Sequence, residues 1–225
     1  LLYNIVDRIY IGHIPGIGTD ALAGIGVTSA VIVLISSFSA IVGAGGSPLA
    51  AIALGRGNRE RAGQILGNGF ILLLIFTILT SATTYLFMEP ILLFTGASEN
   101  TIGYATDYLS IYLLGTLFVE LSVALNTFIN TQGRPTIAMY SVLIGAILNI
   151  GLDPLFIFTF GMGVKGAALA TILSQACSAI WVISFLTSKK ASLRLEYRYM
   201  KLHKGIIPVS YTHLRAHKTE ADLVC

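Results

Sequence analysis

Three stretches of this chain, residues 21–55, 62–88 and 166–188, contain no charged side chain at all. Roughly 20 predominantly apolar residues suffice for a helix to cross about 30 Å of hydrocarbon, and each of these stretches is long enough. Inside a bilayer the backbone polar groups find no water, so a spanning segment must satisfy them internally, as a helix does. Composition points the same way: 55% of residues are hydrophobic and 11% charged, against about 25% charged in an ordinary soluble domain. So few charges cannot cover a water-facing surface of this size, which excludes soluble enzymes and nucleic-acid-binding modules.

Two further runs complete the pattern. Residues 101–133 carry Asp107 near the start and Glu120 in the middle, and residues 135–160 carry Asp153; both read as spans with intramembrane acids. Residues 1–12 read as the last half of another span. The expected fold is therefore all-α, a polytopic membrane bundle of six transmembrane helices with the first truncated, and the chain, which begins at Leu1, reads as a piece of a longer one. Lys and Arg distribution sets the orientation. Arg56, Arg59, Arg61, Arg134 and Lys189-Lys190 fall in alternate connections, whereas residues 13–20, 89–100 and 161–165 hold only Lys165. The arginine-bearing loops and the tail are expected in the cytoplasm, and the protein in the cell inner (plasma) membrane.

The net charge of +3 has a local origin. Residues 1–188 carry six basic and eight acidic side chains, and the last 37 carry eight basic and three acidic. Basicity confined to a tail argues against nucleic acid as a partner. Residues 1–188 form the expected membrane domain, 189–208 a basic, partly amphipathic cytoplasmic linker. Residues 209–225 resemble the translation of a sequencing adapter and are set aside as an assembly scar. Cys177 and Cys225 show no ligand or disulfide spacing, His13 reads as a solvated loop residue, and no cofactor is indicated.

An ionised carboxylate inside a bilayer is costly enough to be a functional hypothesis in itself. Asp7, Glu120 and Asp153 qualify, while Asp107 lies close enough to its span end to reach the interface. Asn149 precedes Asp153 by four residues, on the same helix face, and Pro154 removes a backbone donor beside it. Acid, amide and loosened backbone suit a hard cation such as sodium or, through the carboxyl, a proton. The competing readings are interhelical hydrogen bonding for Asp153, a local ion pair with Arg8 for Asp7, and interhelical bonding for Glu120 and its neighbours Ser122, Asn126 and Asn130. A weak internal echo pairs Asn4 and Asp7 with Asn149 and Asp153, each followed by a short glycine loop. Thr171 adjoins a small-residue face, Ala170, Ser174 and Ser178, suited to close helix packing. The glycine cluster at 43–48 lacks the strand and lysine of a phosphate loop and reads as a flexible or kinked helix end.

With these residues in view, the chain resembles the multidrug and toxic compound extrusion (MATE) transporters over about residues 1–190. The motifs are YNIVDRIYIG at 3–12, GAGGSPLAAIALGRGNRERA at 43–62, NTQGRPTIAM at 130–139 and LNIGLDPLFIFTFGMGVKGAALATILSQ at 148–175. The resemblance implies one six-helix lobe, the amino-terminal one, of a two-lobe, twelve-helix transporter whose carboxy-terminal lobe is missing here. It implies export of amphiphilic or cationic small molecules, driven by Na+ or H+ entry through alternating access. It further implies a coupling-ion site of Asp7, Asn149, Asp153 and Thr171, and a substrate cavity with Tyr108, to which Glu120 and Asn126 are added as polar intramembrane candidates. The alternatives are a flippase for lipid-linked oligosaccharides, which would line its cavity with cations where only Arg8 is available, or an inactive truncated fragment. An embedded enzyme would need a nucleophile or metal cluster at depth, and the sequence offers none.

Overall fold

The computed structural model describes the backbone of residues 2–200 and side chains of residues 5–200; the proposed adapter segment, the part of the basic linker after residue 200 and the Asn4 side chain lie outside the described residues. Those residues form helices and no strand. In chain order the helices are α1 (Leu2–Gly12), α2 (Gly18–Gly55), α3 (Arg59–Leu86), α4 (Met88–Phe94), α5 (Ile102–Thr131), α6 (Pro135–Pro154) and α7 (Val164–Thr187). Five of them, α2, α3, α5, α6 with the turn that follows it, and α7, are long and apolar enough to cross a membrane. They coincide with the five complete spans read from the sequence, and α1 is a short helix of 11 residues before them. The chain is a multi-pass membrane protein of the all-α class.

The helix ends follow local chemistry. After α2, Gly57 takes φ +74°, its N–H donating to Leu54 while that of Asn58 donates to Ala53, so the last carbonyls of the helix are satisfied. Asn58 then accepts the Arg61 N–H at 2.9 Å and caps α3. Within the spans, hydroxyls bond back to carbonyls of the preceding turn, as Thr28 does to Ile25, Thr116 to Tyr112 and Ser174 to Ala170. Polar groups are thereby hidden from lipid without a partner helix. Val33, Leu34, Leu114, Ile147 and Ile180 remain exposed, as expected where the solvent is hydrocarbon.

Two features were not expected. Helix α4 occupies part of what read as a loop; it is only seven residues long and holds by burying Met88 and Leu92. Pro154 is the last residue of α6, but the helical path does not stop there. The chain continues as a single π-helical turn, Leu155–Thr159, with the Phe160 N–H donating to Leu155 at 2.9 Å. A proline that withholds one donor is accommodated by this widening.

The chain divides into two compact units. The first comprises Leu1–Ser36, Thr77–Val119 and Val142–Ser178. Its core has two clusters, one around Ile11, Ile25, Tyr108, Tyr112, Ile157 and Val164, the other around Val31, Ile35, Leu92, Leu109 and Leu113. Helices approach closely where glycines allow it. A Cβ on Gly115 of α5 would lie 2.3 Å from Ile172 of α7, and one on Gly145 of α6 would lie 2.6 Å from the Ser178 hydroxyl. Small residues thus replace the hydrophobic drive that lipid cannot supply, and the small-residue face of α7 is used for packing as its spacing suggested.

The second unit comprises Ser37–Phe76, Glu120–Ser141 and the segment from Ala179 on. The glycine cluster at 43–48 lies inside α2, which is helical throughout, rather than at a helix end. Gly43 and Gly46 face α5, where a Cβ would meet Thr127 at 3.3 Å and Phe128 at 2.9 Å. The expectation of a helix end fails because glycines that could break a helix in water are here held by the neighbour they admit.

Candidate functional site

The four residues expected at a coupling-ion site all fall in the first unit, and all are buried: Asp7 on α1, Asn149 and Asp153 on α6, Thr171 on α7. Asn149 is the hub. Its side-chain amide donates to Asp153 Oδ1 at 3.2 Å and to Thr171 Oγ1 at 3.3 Å. An acceptor-only carboxylate on one side fixes which way the amide points, so its oxygen turns away from both partners. The spacing of four residues on α6 makes the first of these bonds; the second ties α6 to α7.

Helix α1 is brought to this pair by an aromatic contact. Tyr10 meets Phe158 of the π turn edge-on, ring centroids 6.2 Å apart. Asp7 lies one turn before Tyr10 on the same face of α1, and its carboxyl stands within electrostatic reach of Asp153. Arg8 does not pair with Asp7. Its guanidinium is directed to Ser29 of α2, donating at 2.9 Å, although it is near enough to act on Asp7 at longer range. The local ion pair weighed from the sequence is not formed.

Three buried oxygens of this unit have no donor to satisfy them. Asp7 Oδ1, Asn149 Oδ1 and Asp153 Oδ2 are buried and have no hydrogen-bond partner among the described residues. Two carboxyl groups close together in a low-dielectric interior repel strongly when both are ionised. An oxygen-only set of this kind matches what a hard monovalent cation or a proton offsets. No group of three or more His, Cys, Asp or Glu side chains suited to a transition metal occurs among the described residues.

Tyr108 of α5 is buried in the same unit. It lies near Thr171 and within electrostatic reach of Asp7 and Asp153, and stacks on Tyr112 at 5.9 Å. It therefore belongs beside the acids. Glu120 and Asn126 fall in the second unit. Glu120 is almost wholly buried, and the Asn126 amide donates to the Ala138 carbonyl of α6 at 3.2 Å, an interhelical bond of the kind the sequence allowed. The structure thus gathers five of the seven expected residues. Asp107 is half-exposed and pairs with Lys165 at 3.3 Å, as its position near a span end implied. Tyr112, Ser29 and Phe158 were not singled out beforehand, since an aromatic or a serine in an apolar run carries no signal of its own.

An all-α, multi-pass bundle with buried acids on three of its helices, α1, α5 and α6, defines an integral membrane protein of the transporter type. The MatE family model matches residues 1–155, and the chain belongs to that family, whose members are transporters rather than enzymes. Multidrug export protein MepA of Staphylococcus haemolyticus is 27% identical over 207 residues, covering 92% of this chain and 45% of that protein. The FAD transporter of Shewanella oneidensis is 31% identical over 176 residues, covering 76% and 38%. Among solved structures, a MATE protein in the bent conformation superposes with a TM-score of 0.84 at 28% identity, over 95% of this chain and 49% of that one. An inward-facing multidrug resistance MATE transporter gives 0.85 at 28%, over 93% and 47%. The chain spans less than half the length of these curated relatives.

Proposed function

We propose that the chain acts as the amino-terminal lobe of a cation-coupled antiporter that exports amphiphilic or cationic small molecules. The observation that carries this reading is that the Asp7, Asn149 and Asp153 side chains, on helices α1 and α6 of one unit, each keep a buried oxygen without a donor, the two acids within electrostatic reach of each other. A Na+ or H+ bound there would offset the repulsion between the two carboxyl groups and hold α1 against α6. Its departure would leave that repulsion uncompensated and favour their separation. Thr171, bonded to Asn149, would pass the change to α7. A ligand shifts such an equilibrium only by its differential affinity for the two states, and the buried acids supply that difference. The substrate class rests on relatives named for multidrug export. Cytoplasmic placement of the arginine-bearing loops and location in the inner membrane follow from the charge alternation. The flippase reading is weaker, because Arg8 is held by Ser29 and no second cation accompanies it along α1.

The test is transport by a two-lobe protein carrying this lobe, reconstituted in vesicles with an imposed Na+ or H+ gradient. Asp153→Asn should abolish gradient-driven export of an organic-cation dye while leaving insertion intact. Undiminished export would refute the assignment.

A further inference from the structure

The segment after α7 builds a second polar feature, independent of the cation site. Residues 191–196 alternate: Ala191, Leu193 and Leu195 are buried, whereas Ser192, Arg194 and Glu196 are not. The Leu193 N–H donates to the Gln132 side-chain oxygen at 2.9 Å, and the Leu195 N–H to the Leu186 carbonyl at 2.9 Å. Farther along, Tyr199 sits in a notch of α3. A Cβ on Gly63 would lie 2.7 Å from its ring, and one on Gly67 only 2.4 Å from its carbonyl oxygen. These contacts seat the segment at fixed places on the second unit.

Beside it opens a cavity of about 450 Å³. Arg59, Lys189, Lys190, Arg194 and Arg198 line it, with Glu196 the one carboxylate among the lining residues. Glu196 pairs with Arg198 at 2.7 Å, and the Arg198 guanidinium also lies over the Tyr199 ring at 4.5 Å. The other four cations have no ion-pair partner among the described residues. Arg194 donates through one terminal nitrogen to Thr187, but its buried Nε has no partner. Gathering these charges in one concavity is repulsive unless an anion enters.

Position narrows the anion. Arg59 begins α3, and Lys189-Lys190 follow α7 at once, so the cavity lies at the ends of two spans, the depth of lipid headgroups. We propose that this cavity binds a phosphate-bearing anion, whether the phosphodiester of an anionic lipid headgroup or a soluble phosphate. Charge alternation alone would place basic residues near span ends, but it does not require them to converge on a cavity.

The experiment titrates the purified full chain, in neutral detergent, with phosphatidylglycerol or phosphatidylcholine and counts adducts by native mass spectrometry. Phosphatidylglycerol should bind at least about 10-fold more tightly. Lys189→Gln/Lys190→Gln should weaken that binding roughly 30-fold, at about one kcal/mol per charge near a membrane surface. Arg56→Gln/Arg134→Gln, which removes two charges outside the cavity, should leave it nearly unchanged. Glu196→Gln, which removes the opposing carboxylate, should tighten binding by up to about 5-fold, a gain that misfolding cannot produce. Equal loss in the two double variants, no headgroup preference, or no gain in Glu196→Gln would overturn the proposal. Competition by millimolar inorganic phosphate, with the same dependence on Lys189 and Lys190, identifies the soluble source; its absence identifies the lipid.

Discussion

Gly115→Ala probes how the candidate site is held together without touching any group in it. The new Cβ would lie 2.3 Å from Ile172 Cβ and 2.4 Å from its Cγ2, whereas carbon atoms settle at about 3.5–4.0 Å. Helices α5 and α7 must therefore part by about 1.2 Å, or Ile172 must leave its rotamer. Thr171 is the next residue, and its bond to Asn149 is already 3.3 Å long, so even part of that displacement breaks it. Overpacking of this kind costs about 1–3 kcal/mol, and the lost bond adds roughly 0.5–1.5 kcal/mol. For a chain of this size each kcal/mol moves the melting temperature by about 2–4 °C. Thermal unfolding of the detergent-solubilised chain should accordingly drop by several degrees, and Gly115→Ala/Ile172→Ala should recover part of the loss by making room. An unchanged melting temperature in Gly115→Ala, or no recovery in the double variant, would refute the close α5–α7 contact as the support of Thr171.

Two smaller predictions address the rest of the chain. Lys165→Gln removes a half-exposed ion pair with Asp107; such pairs contribute about 0–1 kcal/mol, so the melting temperature should fall by no more than a few degrees and less in high salt. In a Cys177→Ser/Cys225→Ser background, a membrane-impermeant thiol reagent should label Ser98→Cys from outside intact cells and label Arg134→Cys only after the membrane is opened. Labelling of both from the same side would contradict the charge-based orientation.

Span positions were legible because lipid imposes one requirement, a long stretch free of charge, and residues 21–55, 62–88 and 166–188 meet it without ambiguity. The pairing of Asn149 with Asp153 was legible too, since a spacing of four fixes a shared helix face. Its bond to Thr171 was not, because contacts between helices depend on packing that no periodicity records. Pro154 was correctly seen as a disturbance, but its outcome, a π turn that gives Tyr10 a partner in Phe158, depends on a helix far away in sequence. Helix α4 was too short to announce itself. The segment after α7 looked basic and partly amphipathic, yet its seat depends on Gly63 and Gly67, whose role is visible only once Tyr199 lies against them.

The central claim is that Asp7 and Asp153 bind the coupling cation, and infrared difference spectroscopy of the purified chain reads those carboxyl groups directly. Adding Na+ at fixed ionic strength, or lowering the pH, should change carboxyl bands in the wild-type chain, and those changes should be lost in Asp7→Asn and in Asp153→Asn. A wild-type chain whose carboxyl bands respond to neither cation, or an Asp153→Asn variant whose response matches the wild type, would contradict the claim.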